Sequence, residues 1–166
     1  MDSGKTQATT ATQVTTLAID PGIHNCGVCE MDSCHNVLFW DCVDLVAQKR
    51  PTIETLVQGT ARFFQDYFQT NDRIALVRIE QQPNQNQKMK VLAHVIQGIA
   101  IVSGLEVVIV SPKKYKEAGG TYAFRKKHAV TTCLDLVRDS AYEQMFCQSK
   151  KKDDLADAYL LARWTG

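Results

Sequence analysis

No segment of the chain approaches the roughly 20 consecutive apolar residues that a membrane-spanning helix needs. Apolar side chains make up 45% of the 166 residues, but polar ones interrupt them throughout. Met1 to Thr12 also lacks the apolar stretch of a secretory signal. The expectation is a soluble, intracellular protein. Cysteine is thin: six residues, Cys26, Cys29, Cys34, Cys42, Cys133 and Cys147, are too dilute in a chain with this apolar content to form a disulfide framework, and free thiols are expected. Zinc is a sharper possibility, because Cys26-x-x-Cys29 lies near His24, Cys34 and His35. However, CGVC reads as strand sequence, and residues three apart on a strand face opposite ways.

An excess of charge of one sign is missing too, since the formal net charge is +1. The balance hides an asymmetry. Residues 1–80 carry 6 Lys/Arg against 10 Asp/Glu, and residues 81–166 carry 13 against 8. In the second half, Lys113, Lys114, Lys116, Arg125, Lys126 and Lys127 oppose only Glu117, which makes a local field suited to phosphate. Such a run can equally be a solvated surface.

The length fits one globular domain. Residues 1–13 are rich in Thr, Gln, Ser and Ala without apolar periodicity, so a disordered arm is expected there, followed by a single domain over 14–166. Val14 to Ile19 reads as a buried strand that ends at Asp20, with Pro21-Gly22 turning the chain. Gly27 to Met31 and Val37 to Val43 complete an antiparallel meander. Helical spacing begins at Thr52 and runs through Ile53, Leu56, Val57, Thr60, Phe63, Phe64 and Tyr67. Arg73 to Glu80 is a β-branched run ending on a carboxylate. A long apolar helix from about Lys88 to Ser103 is closed by Gly104, and a fifth strand spans Leu105 to Val110. Helices are expected around Lys127 to Arg138 and from Asp153 to Trp164. The order predicts an α/β fold with a mixed five-stranded sheet flanked by helices.

Two strands ending in Asp20 and Glu80, joined through a crossover helix, place both acids at one sheet edge. In Asp153-Asp154-Leu155-Ala156-Asp157, Asp154 and Asp157 share one helix face. Carboxylates gathered in this way repel unless a cation neutralises them, and hard oxygen donors call for Mg²⁺ or Mn²⁺. Taken singly, Asp20 could begin an Asp-Pro-Gly turn. Asp153, which lies i, i+4 to Asp157, could either join the set or cap the helix.

Leu17-Ala18-Ile19-Asp20-Pro21-Gly22, Ile79-Glu80-Gln81 and Asp154-Leu155-Ala156-Asp157-Ala158 together resemble the RuvC-type Holliday junction resolvases over nearly all of residues 14–164. The similarity is greatest to the poxvirus branch. Ser111-Pro112 followed by Lys116, then Arg125-Lys126-Lys127, resemble that family's basic segment. Where bacterial members commonly carry an aromatic residue just after the Glu-Gln pair, this chain has Gln82-Pro83-Asn84. The resemblance implies a ribonuclease-H-like domain and a homodimer that introduces paired nicks in four-way DNA, leaving 5′ phosphates, in the host cytoplasm. Asp20, Glu80, Asp154 and Asp157 would hold two Mg²⁺ ions about 4 Å apart, with no small-molecule cofactor. Lys116 and Lys127 would offset charge at the scissile phosphate or hold the junction backbone. Lys113, Lys114, Arg125, Lys126, Lys150, Lys151 and Lys152 would make general phosphate contacts. A ribonuclease H acting on RNA–DNA hybrids, or a catalytically silent DNA-binding module, are the rival readings, since fold alone does not choose a substrate. The helix at 88–103, apolar over more than one face, is the expected dimer surface.

Overall fold

The structure, a computed structural model, describes residues 14–116 and 119–166. The arm expected at 1–13 lies outside the described residues. Five strands form one sheet in the order β3-β2-β1-β4-β5. The meander β1 (Thr15–Asp20), β2 (Cys26–Asp32) and β3 (Val37–Val43) is antiparallel, whereas β4 (Ile74–Glu80) and β5 (Glu106–Val110) run parallel to β1. This is the mixed sheet that the strand and helix order predicts.

Alternation along the strands builds two cores. Leu17, Ile19, Cys26 and Val28 point to one face, where α1 (Ile53–Thr70) and α2 (Gln87–Val102) cover them. Ala18, Cys29 and Met31 point to the other, beneath α3 (Tyr122–Val137), α4 (Glu143–Gln148) and α5 (Lys152–Arg163). Cys26 and Cys29 therefore lie on opposite faces of the sheet and cannot share one ion. Local signals explain the helix ends. The Thr52 hydroxyl accepts from the Thr55 N–H at the start of α1, and Asn86 does the same for Met89 at the start of α2. Gly104, at φ 79°, lets the chain leave α2 toward β5.

The structure differs from the sequence expectation at three places. Helix α3 starts at Tyr122 rather than Lys127, because Thr121 caps it by accepting from the Phe124 N–H. A short 3-10 turn at Pro112–Lys114 and the six-residue α4 were not anticipated. Neither is long enough to show a hydrophobic period.

At the amino ends of β1 and β4, the fully buried Glu30 carboxylate accepts from Thr15 Oγ1 at 2.8 Å, Tyr67 Oη at 2.7 Å and Arg73 Nε at 2.6 Å. A buried charge needs this full set of partners, and the set ties β1, β2 and α1 together. The opposite end of the sheet is set by α5. Its inner face is Leu155, Ala156, Ala158, Leu161 and Ala162, all buried, and the alanines let it lie close to β2. Trp40 Nε1 donates to the Leu155 carbonyl at 2.9 Å, and Arg78 donates to the Ala162 carbonyl at 2.9 Å, so α5 is pinned near both ends. Gly27, paired with Asp20 across the sheet, makes the approach possible. A Cβ there would lie 2.4 Å from the Asp154 carbonyl oxygen and 3.2 Å from Ala158 Cβ.

Gly27→Ala is therefore expected to lose about 1–3 kcal/mol by overpacking, read by denaturant unfolding. Wild-type stability in that variant would show that α5 has room to spare over β2.

Candidate active site

Register brings the first two acids together. Ile19 pairs with Ile79 in the parallel β1–β4 ladder, so Asp20 and Glu80 end neighbouring strands on the same edge. Helix α5 enters from the sheet face and delivers Asp157. Carboxylate oxygens of Asp20, Glu80 and Asp157 all lie within 4.8 Å of one another. Asp154, one turn earlier on α5, lines the same cleft outside that closest group. Asp153 is turned away and pairs with Lys126. Its burial opposes ionisation, but the hydrogen bond and charge of Lys126 outweigh this and hold it below the usual carboxylate range.

The acids press on one another. Burial chiefly, then the charges of Glu80 and Asp157, push the Asp20 carboxyl well above the ordinary aspartate value. Burial also pushes Asp157 up, to about 6, with Lys116 pulling against it and Glu80 adding to it. Asp154 is raised by burial and by its neighbour Asp153.

Relief comes from the segment after the 3-10 turn. Lys116 Nζ lies 2.7 Å from Glu80 Oε2 and 2.7 Å from Asp157 Oδ2, with side chains 13%, 12% and 13% exposed. Burial opposes its charge, but Glu80, Asp157 and Asp20 outweigh burial and keep it protonated. The Tyr115 hydroxyl donates to the same Glu80 Oε2. Burial and the Glu80 charge raise the Tyr115 phenol, so it remains a donor. With all three carboxylates ionised, one ammonium leaves two negative charges, and an all-oxygen donor set with that residual charge fits a hard divalent cation.

The cleft continues past the acids. Gln81, Gln82, Pro83, Pro112, Lys116 and Arg125 are shared between the acidic part and an adjoining cavity of about 400 Å³ that Lys113 also lines. Lys126 and Tyr122 stand on the acidic part's wall. Lys127, one step round α3, is exposed and does not line the cleft, and Lys114, Lys150 and Lys151 are exposed elsewhere. Tyr115 and Tyr122 are the residues that reading the sequence for acids and bases overlooks. Tyr115's signal is its place beside Lys116; for Tyr122 the available signal is Thr121 as a capping residue just ahead of it, which starts α3 at Tyr122.

A family model described as "Poxvirus A22 protein" matches residues 14–164. The chain belongs to this family. Comparison with curated protein sequences gives no match. Among solved structures, the chain is similar to T. thermophilus RuvC in complex with a Holliday junction substrate, with a TM-score of 0.64, 17% identity and 90% of each chain covered. It is also similar to the yeast mitochondrial Holliday junction resolvase Ydc2, with a TM-score of 0.62, 14% identity, and 90% of this chain and 78% of that one covered. These likenesses show the fold, which is the ribonuclease-H-like one that the sequence motifs imply.

Because Asp20 has a raised folded pKa, the metal-free protein loses stability as pH rises through it, and a neutral isostere should remove that loss. Asp20→Asn is expected to melt higher than wild type in EDTA at pH 8, with the difference shrinking as pH falls. Mg²⁺ or Mn²⁺ should raise the melting temperature of wild type more than that of the variant. Equal metal responses in the two proteins would remove Asp20 from the ligand set.

Proposed function

We propose that the chain is a Holliday junction resolvase, a structure-selective endonuclease that hydrolyses phosphodiester bonds at four-way DNA junctions. The reading is carried by the acidic cluster at the sheet edge, which opens into a cleft walled by cations, in a chain of this family. Asp20, Glu80 and Asp157 are the proposed ligands, with Asp154 completing a site for two Mg²⁺ or Mn²⁺ ions. When bound, such ions supply an activated water and stabilise the leaving 3′ oxygen, leaving a 5′ phosphate.

The chain's own residues do the rest. Tyr115 and Lys116 both bond Glu80 Oε2, which fixes the orientation of that carboxylate. Lys116, inside the cleft, offsets charge on the scissile phosphate. Arg125 and Lys126 hold the backbone at the cleft wall. Lys113, Lys114, Lys127, Lys150, Lys151 and Lys152 neutralise phosphates of the junction arms.

A junction resolved by two cuts calls for two sites, and the proposed assembly is a homodimer. Helix α2 supports this reading. It buries Met89, Leu92, Ala93, Ile96 and Ala100 against the body but leaves Ile101 and Val102 exposed, Val102 at 89%. Among the described residues no helix is long and apolar enough to cross a membrane, and the host cytoplasm is the proposed site of action.

On a cruciform plasmid with Mg²⁺ and excess enzyme at low salt, paired nicking within one complex should yield linear DNA. Asp20→Asn should bind the junction normally and cut more than about 100-fold more slowly, a larger loss than that from removing a residue that only supports a ligand. Open circles with little linear product would refute coordinated cutting. Cleavage of RNA–DNA hybrids in preference to junctions would move the assignment to a ribonuclease H.

A further inference from the structure

Helix α3 lays one stripe of side chains on the body of the protein. Ala129, Cys133 and Val137 are buried at intervals of four. Stepping that stripe back by three residues and then by four gives Lys126 and Tyr122. By helical phase Tyr122 is an inward-facing residue, yet it is 66% exposed. At its level the stripe has passed the edge of the core, and the side chain lines the acidic cleft beside Arg125 and Lys126. Among the described residues Tyr122 belongs to neither hydrophobic core, and its ring contact is with Lys126, whose Nζ stands 5.3 Å from the ring centroid. Phe124, also exposed, differs: it lies two positions on, across the helix, where its ring covers Gly120 and sits 6.1 Å from His128.

We infer that Tyr122 is a stacking platform for an unpaired nucleobase next to the catalytic cleft, with Arg125 and Lys126 taking the flanking phosphates. An aromatic face stacks on any base and adds affinity without demanding a sequence. Bases inside a duplex are already stacked, and freeing one costs least where pairing is interrupted. At a branch point this cost is small, so the platform favours branched DNA over linear duplex and draws the strand over the acids. The role rests on the proposed action on junctions but adds a residue outside the acid and lysine sets.

The test places 5-iodouracil at the branch point of a synthetic four-way junction bound to the full chain in the Asp20→Asn background, which keeps the DNA whole. Irradiation and mass spectrometry should locate the cross-link on Tyr122, and it should be lost in Tyr122→Ala. In the otherwise wild-type protein with Mg²⁺, Tyr122→Ala should slow single-turnover junction cleavage about tenfold or more. Tyr122→Phe, which keeps the ring, should stay within about twofold of wild type. Because the side chain is exposed, both variants should melt like the parent. Cross-linking that bypasses Tyr122, wild-type cleavage by Tyr122→Ala, or equal defects in the Ala and Phe variants would each overturn the platform. Cross-linking needs no cleavage, so a cross-link on Tyr122 in a protein that nicks no junction would retain the platform and refute the resolvase reading.

Discussion

Like charges held at close range are the constraint on which this structure turns. Asp20, Glu80 and Asp157 offer oxygens within 4.8 Å of one another, the first two half-buried and Asp157 buried, where water screens repulsion poorly. Holding them there requires a frame that does not relax. Parallel pairing of β1 with β4 fixes two of the acids, and close seating of α5 on β2 fixes the third. The hydrogen bonds from Trp40 and Arg78 resist sliding of α5 along the sheet. Each of these is a packing feature whose energetic purpose lies in the cluster.

The segment after β5 eases the repulsion from outside. Lys116 bridges two of the acids and Tyr115 donates to one. The site is thus partly self-neutralised, which lets the chain keep its carboxylates together while two negative charges remain for a divalent cation. Stability and chemistry pull in opposite directions here, as they commonly do where function requires an unfavourable arrangement.

Strong local patterns made most of the fold legible in the sequence. The β-branched runs and the turns after Asp20 and Val110 located the strands to within a residue or so, and apolar spacing located α1, α2 and α5. The acids were legible because two of them end strands and two share a helix face. Helix phase was harder to read. With α3 expected to start at Lys127, its periodicity does not choose among the basic residues Arg125, Lys126 and Lys127, and the family resemblance alone singles out Lys127 beside Lys116. Its true start at Tyr122 turns Lys126 toward the cleft and Lys127 away from it. The pairing of Asp153 with Lys126 was illegible for the same reason, since it depends on the relative rotation of two helices distant in sequence. Tyr115 belongs to a segment without periodicity, and its contact with Glu80 depends on how that segment folds back.

The order in which the elements occur along the chain has a consequence for synthesis. Asp20 and Glu80 lie in the first half of the chain, and so does the Glu30 network that ties β1, β2 and α1 together. Asp157 belongs to α5, the last of the described elements. A chain emerging from the ribosome amino end first can assemble the tied end of its sheet while the acid cluster is still incomplete. The face of β2 that α5 covers, with Gly27 and Cys29, stays open until then. Until α5 has been made and has docked, the nascent protein cannot gather Asp157 with Asp20 and Glu80, and the proposed site stays incomplete.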